Sequence, residues 1–411
     1  MMHINLNAVS RSTVRLLSIL GLIAGLVNGL NADDHFDRSV QTSGSVQLLS
    51  MERDYGNGVD GSSTSISATV NLDSNLSENL SWHGQYVHVE NLQEDGREDA
   101  AYWLSNDYTS LLNELYLEYH AEGDSISEVS LKLGRQVAGY DFFPTYKTRH
   151  KGQAFGGVSF HGKVLGSVSL DLGHIADFSA WPSRVDGSSS LTSDFASISE
   201  RLGQTGGDNG VQFIQAKWGQ GESFSFSSYG YHVDGYYDTL GLKVNYLLHE
   251  SEESGAYNVS VHAFQQEGTR SGPFSSQDGR VVELNLNYKK NALSMDLGWT
   301  HVGGDSTILN PFRTSFAIDA TLLWYTNQFE RGTDSAHLKT LYKHKQWTFY
   351  GAFIAAQHQD DREETEANAV VKYQFENDIW VAFKGGYGTR DYEASPDQHA
   401  RDLRLFVGRS F

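Results

Sequence analysis

Val282-Glu283-Leu284-Asn285-Leu286-Asn287-Tyr288 alternates apolar and polar side chains without a break. Successive residues of a strand point to opposite faces, so this stretch reads as a strand with one apolar and one wet face. The same period recurs on both sides of it. Leu240, Leu242, Val244 and Tyr246 oppose Thr239, Gly241, Lys243 and Asn245. Ile66, Ala68, Val70 and Leu72 oppose Ser67, Thr69 and Asn71, and Ala367, Ala369, Val371 and Tyr373 oppose Glu366, Asn368, Lys372 and Gln374. Repeated along the chain, the pattern predicts 18 strands, from 40–50 and 64–72 at one end to 378–387 and 402–411 at the other.

A soluble sandwich would alternate in the same way. Three features favour a transmembrane antiparallel β-barrel. Each segment runs about 8–11 residues, near the length a tilted strand needs to cross a bilayer. Connections after even strands are short, as in Glu122-Gly123-Asp124-Ser125, Gly219-Gln220-Gly221-Glu222 and His344-Lys345-Gln346, whereas 90–110, 136–155, 175–209 and 302–334, after odd strands, are long. Membrane barrels keep that parity of turns and loops. Trp82, Tyr119, Tyr246, Tyr288, Trp299, Tyr342, Trp347 and Tyr373 fall mostly near strand ends on the apolar face, where amphipathic rings suit the headgroup level. Finally, Leu403, Leu405, Val407 and Phe411 alternate to a terminal aromatic, interrupted by Arg409.

Composition agrees. The 411 residues include 41 glycines, 21 tyrosines and 21 phenylalanines but only 5 prolines, which favours strands and turns over helices. Without cysteine there is no disulfide scaffold, thiolate metal site or cysteine nucleophile. A net charge of −20 argues against nucleic acid, whose binding needs a basic stripe. Residues 1–32 read as a signal peptide: Arg11 and Arg15 precede an apolar run from Leu16, and Leu30-Asn31-Ala32 ends in a small residue. That run, roughly 12 residues, is short of the ~20 of a spanning helix. The expected organisation is a signal peptide, 1–32, followed by a barrel, 33–411.

Three stretches resemble a known family. Leu131-Lys132-Leu133-Gly134-Arg135-Gln136, followed by Tyr146-Lys147-Thr148-Arg149-His150-Lys151-Gly152-Gln153-Ala154-Phe155-Gly156-Gly157, is similar to a strand running into the third loop of OprD-type substrate-specific porins, which include chitoporins. Asn327-Gln328-Phe329-Glu330-Arg331-Gly332-Thr333-Asp334-Ser335 resembles that family's Phe-x-x-Gly-Glu-x-Ser segment, with Thr333 where Glu is usual. The last 50 residues, with Arg401-Asp402-Leu403-Arg404, resemble its closing three strands. The resemblance implies an 18-stranded barrel in the bacterial outer membrane, an inward-folded third outer loop, and passive, selective uptake of small hydrophilic nutrients. It implies no enzyme activity, cofactor or metal. The implied partners are solutes, outer-membrane lipid and lipopolysaccharide, and the barrel assembly machinery, which would read the C-terminal strand. Monomer and homotrimer both stay open.

A diffusion pore needs a narrow wet path with a field across it rather than catalytic groups. Lys132, Lys163, Lys243, Lys339, Lys372, Lys384 and Arg404 fall on polar faces, as do Glu114, Glu118, Asp171, Glu283 and Asp296. The bases lie mainly on late strands and most of the acids on earlier ones, so closure would set the two signs on different sectors of one wall. The third loop contributes Arg135, Lys147, Arg149, His150 and Lys151, with Asp141 nearby, as the expected constriction. Basic groups there would favour carboxylates or amino acids. Solvated wall charges are the plainer alternative. Chito-oligosaccharides are the other substrate option and would need a lane of aromatics such as Tyr116, Tyr140, Phe142 and Phe143. The acidic runs Glu94-Asp95-Gly96-Arg97-Glu98-Asp99 and Asp360-Asp361-Arg362-Glu363-Glu364 read as solvated outer loops, with divalent cations shared with lipopolysaccharide as an alternative.

Two other classes compete. An outer-membrane hydrolase would need a Ser/His pair with an orienting partner, yet neither G-x-S-x-G nor H-E-x-x-H occurs. An adhesive barrel would use the long loops, but Ser188-Ser189-Ser190 and Gly206-Gly207 read as flexible.

Overall fold

The computed structural model describes residues 39–411 apart from 57–59, 97–108, 124–125, 138, 144–149, 165, 180–194, 203, 205–209, 271, 310–328 and 393–394. The expected signal peptide, Lys147, Arg149, Ser188-Ser189-Ser190 and Gly206-Gly207 lie outside the described residues. The strands are β1 (Gln41–Asp54), β2 (Asp60–Asn75), β3 (Leu80–Gly96), β4 (Thr109–Ala121), β5 (Ile126–Gln136), β6 (Ala154–Val164), β7 (Val168–Ser179), β8 (Ala196–Ser197), β9 (Val211–Trp218) and β10 (Phe224–Val233). They continue with β11 (Tyr237–Ser251), β12 (Gly255–Gly268), β13 (Asp278–Lys290), β14 (Leu293–Gly304), β15 (Asp334–His344), β16 (Trp347–Gln357), β17 (Glu363–Gln374), β18 (Ile379–Tyr392) and β19 (Ser395–Ser410).

From β1 to β7 and from β9 to β19 each strand pairs antiparallel with the next, β7 pairs with β9, and β1 pairs with β19 from Ser45↔Ser410 to Asp54↔Arg401. The two-residue β8 only bridges the end of β7 at Asp177↔Ser197 and Phe178↔Ala196, so the wall is a closed 18-stranded barrel. Ser197 starts a one-turn helix, α1 (Ile198–Arg201), through a capping box with Glu200. Among the described residues no helix is long and apolar enough to cross a membrane.

All 18 expected strands are present, and most are longer than their sequence pattern. The segment read as 64–72 spans Asp60–Asn75, and 402–411 spans Ser395–Ser410. Extension is mainly at the end carrying the long loops. There the outward face turns polar, as at Gln212, His232 and Asp238, and the apolar alternation that marks a strand is lost. The parity of connections holds for the longest loops but not throughout: on the loop side 393–394 joins β18 to β19 in two residues, 55–59 and 358–362 are five residues each, and Gly235 at φ 74° closes a tight turn at 234–236.

Side-chain alternation gives the barrel two unlike surfaces. Leu115, Leu117, Leu131, Leu133, Leu240, Leu242, Leu284 and Leu297 all point outward and are exposed, Leu240 at 70%. That belt would be unstable in water and fits a bilayer. Inside, one sector is filled. Tyr140, Phe142 and Phe143 of the loop after β5 pack on Phe155, Phe178, Phe213, Tyr229 and Tyr231 from the inner faces of β6 to β10. Tyr140 and Phe213 have centroids 4.5 Å apart, and Phe142 stacks on Tyr231 at 4.9 Å. Such pairs add about 0.5–1.5 kcal/mol each beyond their buried area.

The seam between first and last strands has no slack. Gly44 and Phe411 exchange backbone hydrogen bonds of 3.0 Å in both directions. A Cβ on Gly44 would sit 2.4 Å from the Thr69 carbonyl oxygen and 2.5 Å from the Phe411 ring. Overpacking of this kind costs about 1–3 kcal/mol. Gly44→Val is therefore expected to lower the fraction of heat-resistant, fast-migrating barrel on semi-native gels, with Gly44→Ala intermediate.

Candidate functional site

Strand parity settles which side chains reach the lumen. On β19 Leu403 and Leu405 are exposed outward, so Asp402, Arg404 and Phe406 point in. On β18 Phe383 and Tyr387 face out and Lys384 faces in, opposite Arg404. On β1 the inner row is Gln47, Leu49, Met51 and Arg53, with Arg53 opposite Asp402. Here apolar residues line the inside, the reverse of most strands, and Leu49 and Met51 pack with Ala382 and Phe406.

The seam thus gathers a charged cluster. Arg53 Nη2 lies 2.6 Å from Asp402 Oδ2, and Arg404 Nε lies 2.7 Å from Asp402 Oδ1. All three side chains are at most 4% exposed. Lys384 is within electrostatic reach of Arg404, Asp402, Glu366 and Arg53, so three cations meet two carboxylates. Beside them, Lys372 lies 4.8 Å from the Trp380 ring. Toward the loop end, Glu364 holds Arg390 at 2.6 Å and His358 at 3.3 Å, while Arg362 bonds Glu330. His358 also bonds the Thr333 hydroxyl at 2.8 Å, which ties the end of loop 305–333 to the β16–β17 connection. Glu364, read from sequence as part of a solvated loop, is a buried wall residue of β17.

The eight expected wall residues all face inward. Lys132 lies 3.5 Å from Glu118 and 4.7 Å from the Tyr116 ring. Glu114 is 3.9 Å from His83, which bonds Asp73 at 2.6 Å. Lys339 and His337 share Asp296 at 3.2 and 3.1 Å. Lys243 stands in register with His262, whose other neighbour across the strands is Glu283. The separation of signs expected from sequence does not hold, because most bases sit beside an acid in their own sector. At the seam Arg53, Arg404 and Lys384 stand against Asp402 and Glu366. The sequence pattern puts Glu366 on a polar face and Asp402 in the closing strand without marking either as a pore charge, and it does not mark Arg53 or Arg390 at all. Arg53 lay past the apparent end of its strand, although the two-residue period from Leu49 and Met51 reaches it.

Among the described third-loop residues, Asp141 takes hydrogen bonds from Ser227 at 2.5 Å and Gln215 at 3.3 Å, with Lys217 at 3.8 Å, all on the inner faces of β9 and β10. His150 contacts Ser65 at 2.7 Å and Gln47 at 3.3 Å on β1 and β2. The loop is therefore fastened to two sectors of the inner wall. Burial pushes the Tyr140 phenol up to about 12, so it stays neutral. Lys151 is only 1% exposed, and its ammonium donates to Ser179 at 2.7 Å and to the Gly152 carbonyl at 3.3 Å. An ammonium sealed in this way anchors the loop and presents no charge to a passing solute.

Arg135 is a correction. It continues the outward row of Leu131 and Leu133, pairs with exposed Leu115, and sits over the Phe195 ring at 4.1 Å on the outer surface. Grouping it with the loop set aside the period of its own strand, whose outward row of Leu131 and Leu133 continues to it. No group of three or more metal-ligating side chains occurs among the described residues.

A family model described as "outer membrane porin, OprD family" matches residues 125–376. No curated protein matches in sequence. Among solved structures, OccK2 (OpdF) of Pseudomonas aeruginosa in complex with glucuronate is 13% identical with TM-score 0.71, covering 90% of this chain and 96% of that one. OpdK of the same species with vanillate is 12% identical with TM-score 0.71, covering 90% and 98%. A BenF-like porin from Pseudomonas fluorescens Pf-5 is 13% identical with TM-score 0.72, covering 90% and 98%. At these identities the likeness concerns the fold.

Removing Asp402 would leave two buried guanidiniums facing each other, and breaking a buried pair typically costs about 3–5 kcal/mol. Asp402→Ala is expected to shift urea unfolding in detergent to clearly lower midpoints, whereas Glu122→Ala in an exposed turn leaves it unchanged.

Proposed function

The chain belongs to the OprD family of outer-membrane porins, and on that premise we propose that its lumen conducts small carboxylates or amino acids along the wall formed by β15 to β19 and β1. It is a substrate-specific channel of the bacterial outer membrane. The observation that carries the carboxylate reading is the pair Lys384 and Lys372 on the inner faces of β18 and β17, beside Arg53 and Arg404, which are sealed against Asp402 and hold that part of the wall in place. A local excess of cations lowers the energy of a passing anion, and the acids interleaved with it keep that anion from being held too tightly to leave. Glucuronate and vanillate, the molecules held by the two Pseudomonas aeruginosa channels, are both carboxylates.

The chito-oligosaccharide reading fares worse. Tyr140, Phe142 and Phe143 are buried against the wall cluster and offer no stacking lane, and Tyr116 lies beneath Lys132. The constriction we assign to Lys147 and Arg149 as solute-facing groups, with Asp141 and His150 holding their loop. We further propose that residues 1–32 are removed on export.

Three measurements follow. In planar bilayers Lys384→Gln should lower the anion-to-cation permeability ratio up to about fivefold, since a unit charge ~8 Å from the path in water is worth about 0.5 kcal/mol in favour of the anion and as much against the cation. An unchanged ratio in Lys384→Gln and Lys372→Gln together refutes the seam as the selective wall. Lys147→Ala with Arg149→Ala should lower selectivity further, and no change would remove both from the constriction. The intact mass of protein extracted from outer membranes should correspond to a chain beginning at Asp33.

A further inference from the structure

Arg135 stands where a membrane-facing row would otherwise carry a third leucine. Along that row the neighbours across the strands are Leu115, Arg135, Gly156 and Asp177, in the order β4, β5, β6, β7 and close to the loop end of each. Gly156 places no side chain between the guanidinium and the carboxylate. The register shift at Gly156/Gly157 adds a residue, Ala176, to the opposing strand and bends the wall there. The result is a notch of about 340 Å³ on the outer surface, with Leu112 and Leu115 on one flank and Ala176 and Asp177 on the other. The guanidinium is held in place by the Phe195 ring at 4.1 Å and by one donated hydrogen bond, from Nη1 to the Leu112 carbonyl at 3.1 Å. Asp177 Oδ1 accepts the Gly156 N–H at 3.1 Å.

We propose that this notch is a binding site for the lipid A part of lipopolysaccharide, with Arg135 taking a sugar phosphate. The loop end of the barrel lies in the outer leaflet, so an anionic, acylated and phosphorylated sugar is the amphiphile that meets it. Guanidinium is the side chain best shaped for a phosphate, since it offers parallel N–H donors from a fixed plane. Of its five donors, one is engaged with a carbonyl among the described residues, which leaves others for the ligand. The exposed flanks Leu112 and Leu115 border an acyl chain. A snorkelling arginine that only reaches the headgroup level is the plain alternative.

The test uses the folded barrel in detergent with two probes, bis-phosphorylated lipid A and its dephosphorylated form, read by native mass spectrometry. Wild-type protein should bind the phosphorylated probe about tenfold more tightly, the scale of one charge-assisted hydrogen bond. Arg135→Gln should lose that preference and Arg135→Lys keep part of it, with the single-channel conductance of both unchanged. Equal binding of the two probes by wild-type protein, or a full preference retained in Arg135→Gln, overturns the proposal. The wild-type comparison needs no variant, so a poorly folding Arg135→Gln leaves the proposal open to refutation.

Discussion

Within the hydrocarbon of a bilayer no water is present to satisfy a peptide N–H or C=O, and each one left unpaired costs several kcal/mol. The closure of β1 on β19 removes the last two edges, so the structure depends on that seam. Once the ring is closed, strand alternation has only two destinations, lipid or lumen. The Leu-rich rows go to lipid and the Lys, Glu, Asn and Ser rows to water. Close contact between Gly44 and Phe411 shows how tightly the two chain ends are fitted where the ring is completed.

Closure also creates an interior that must be either filled or hydrated. This barrel does both, in different sectors. Under the third loop, aromatic rings from β6 to β10 pack as in a protein core, and Asp141 and Lys151 fasten the loop with hydrogen bonds that are partly buried at Asp141 and buried at Lys151. Around the seam, charged side chains are packed against one another instead. A buried ion pair gives little net stability, but its members are held in place because separating them is costly. An interior built in this way offers a fixed array of charge on the side that the aromatic filling leaves to water.

Much of this was legible from alternation alone, because one side-chain period reports both the strand and its inward face. The period puts Lys132, Lys243, Lys339, Lys372, Lys384, Arg404, Glu114 and Glu118 on the face opposite the apolar row, and their side chains point inward. The failures came where strands continue beyond the apolar belt. Arg53 and Glu364 sit on such extensions, where polar residues on both faces hide the strand, and both were lost to supposed loops. Arg135 failed for the opposite reason, since it lay within an intact period and was nevertheless grouped with the loop that follows it. Inner Leu49 and Met51 broke the rule that apolar residues face lipid, because neighbouring side chains inside the barrel cover them.

By itself the sequence determined the class of the molecule: 18 strands, their faces, and an apolar outer surface. These follow from a repeat of two residues, which is local and needs no partner. Which charges meet was decided only by the closed ring. Arg53 and Asp402 are 349 residues apart, and nothing in either neighbourhood announces the other. Their pairing is set by the register of the first strand on the last, and the contacts of Asp141 and His150 by where a loop comes to rest across the lumen. Contacts of that range depend on the geometry of closure, which no local pattern encodes.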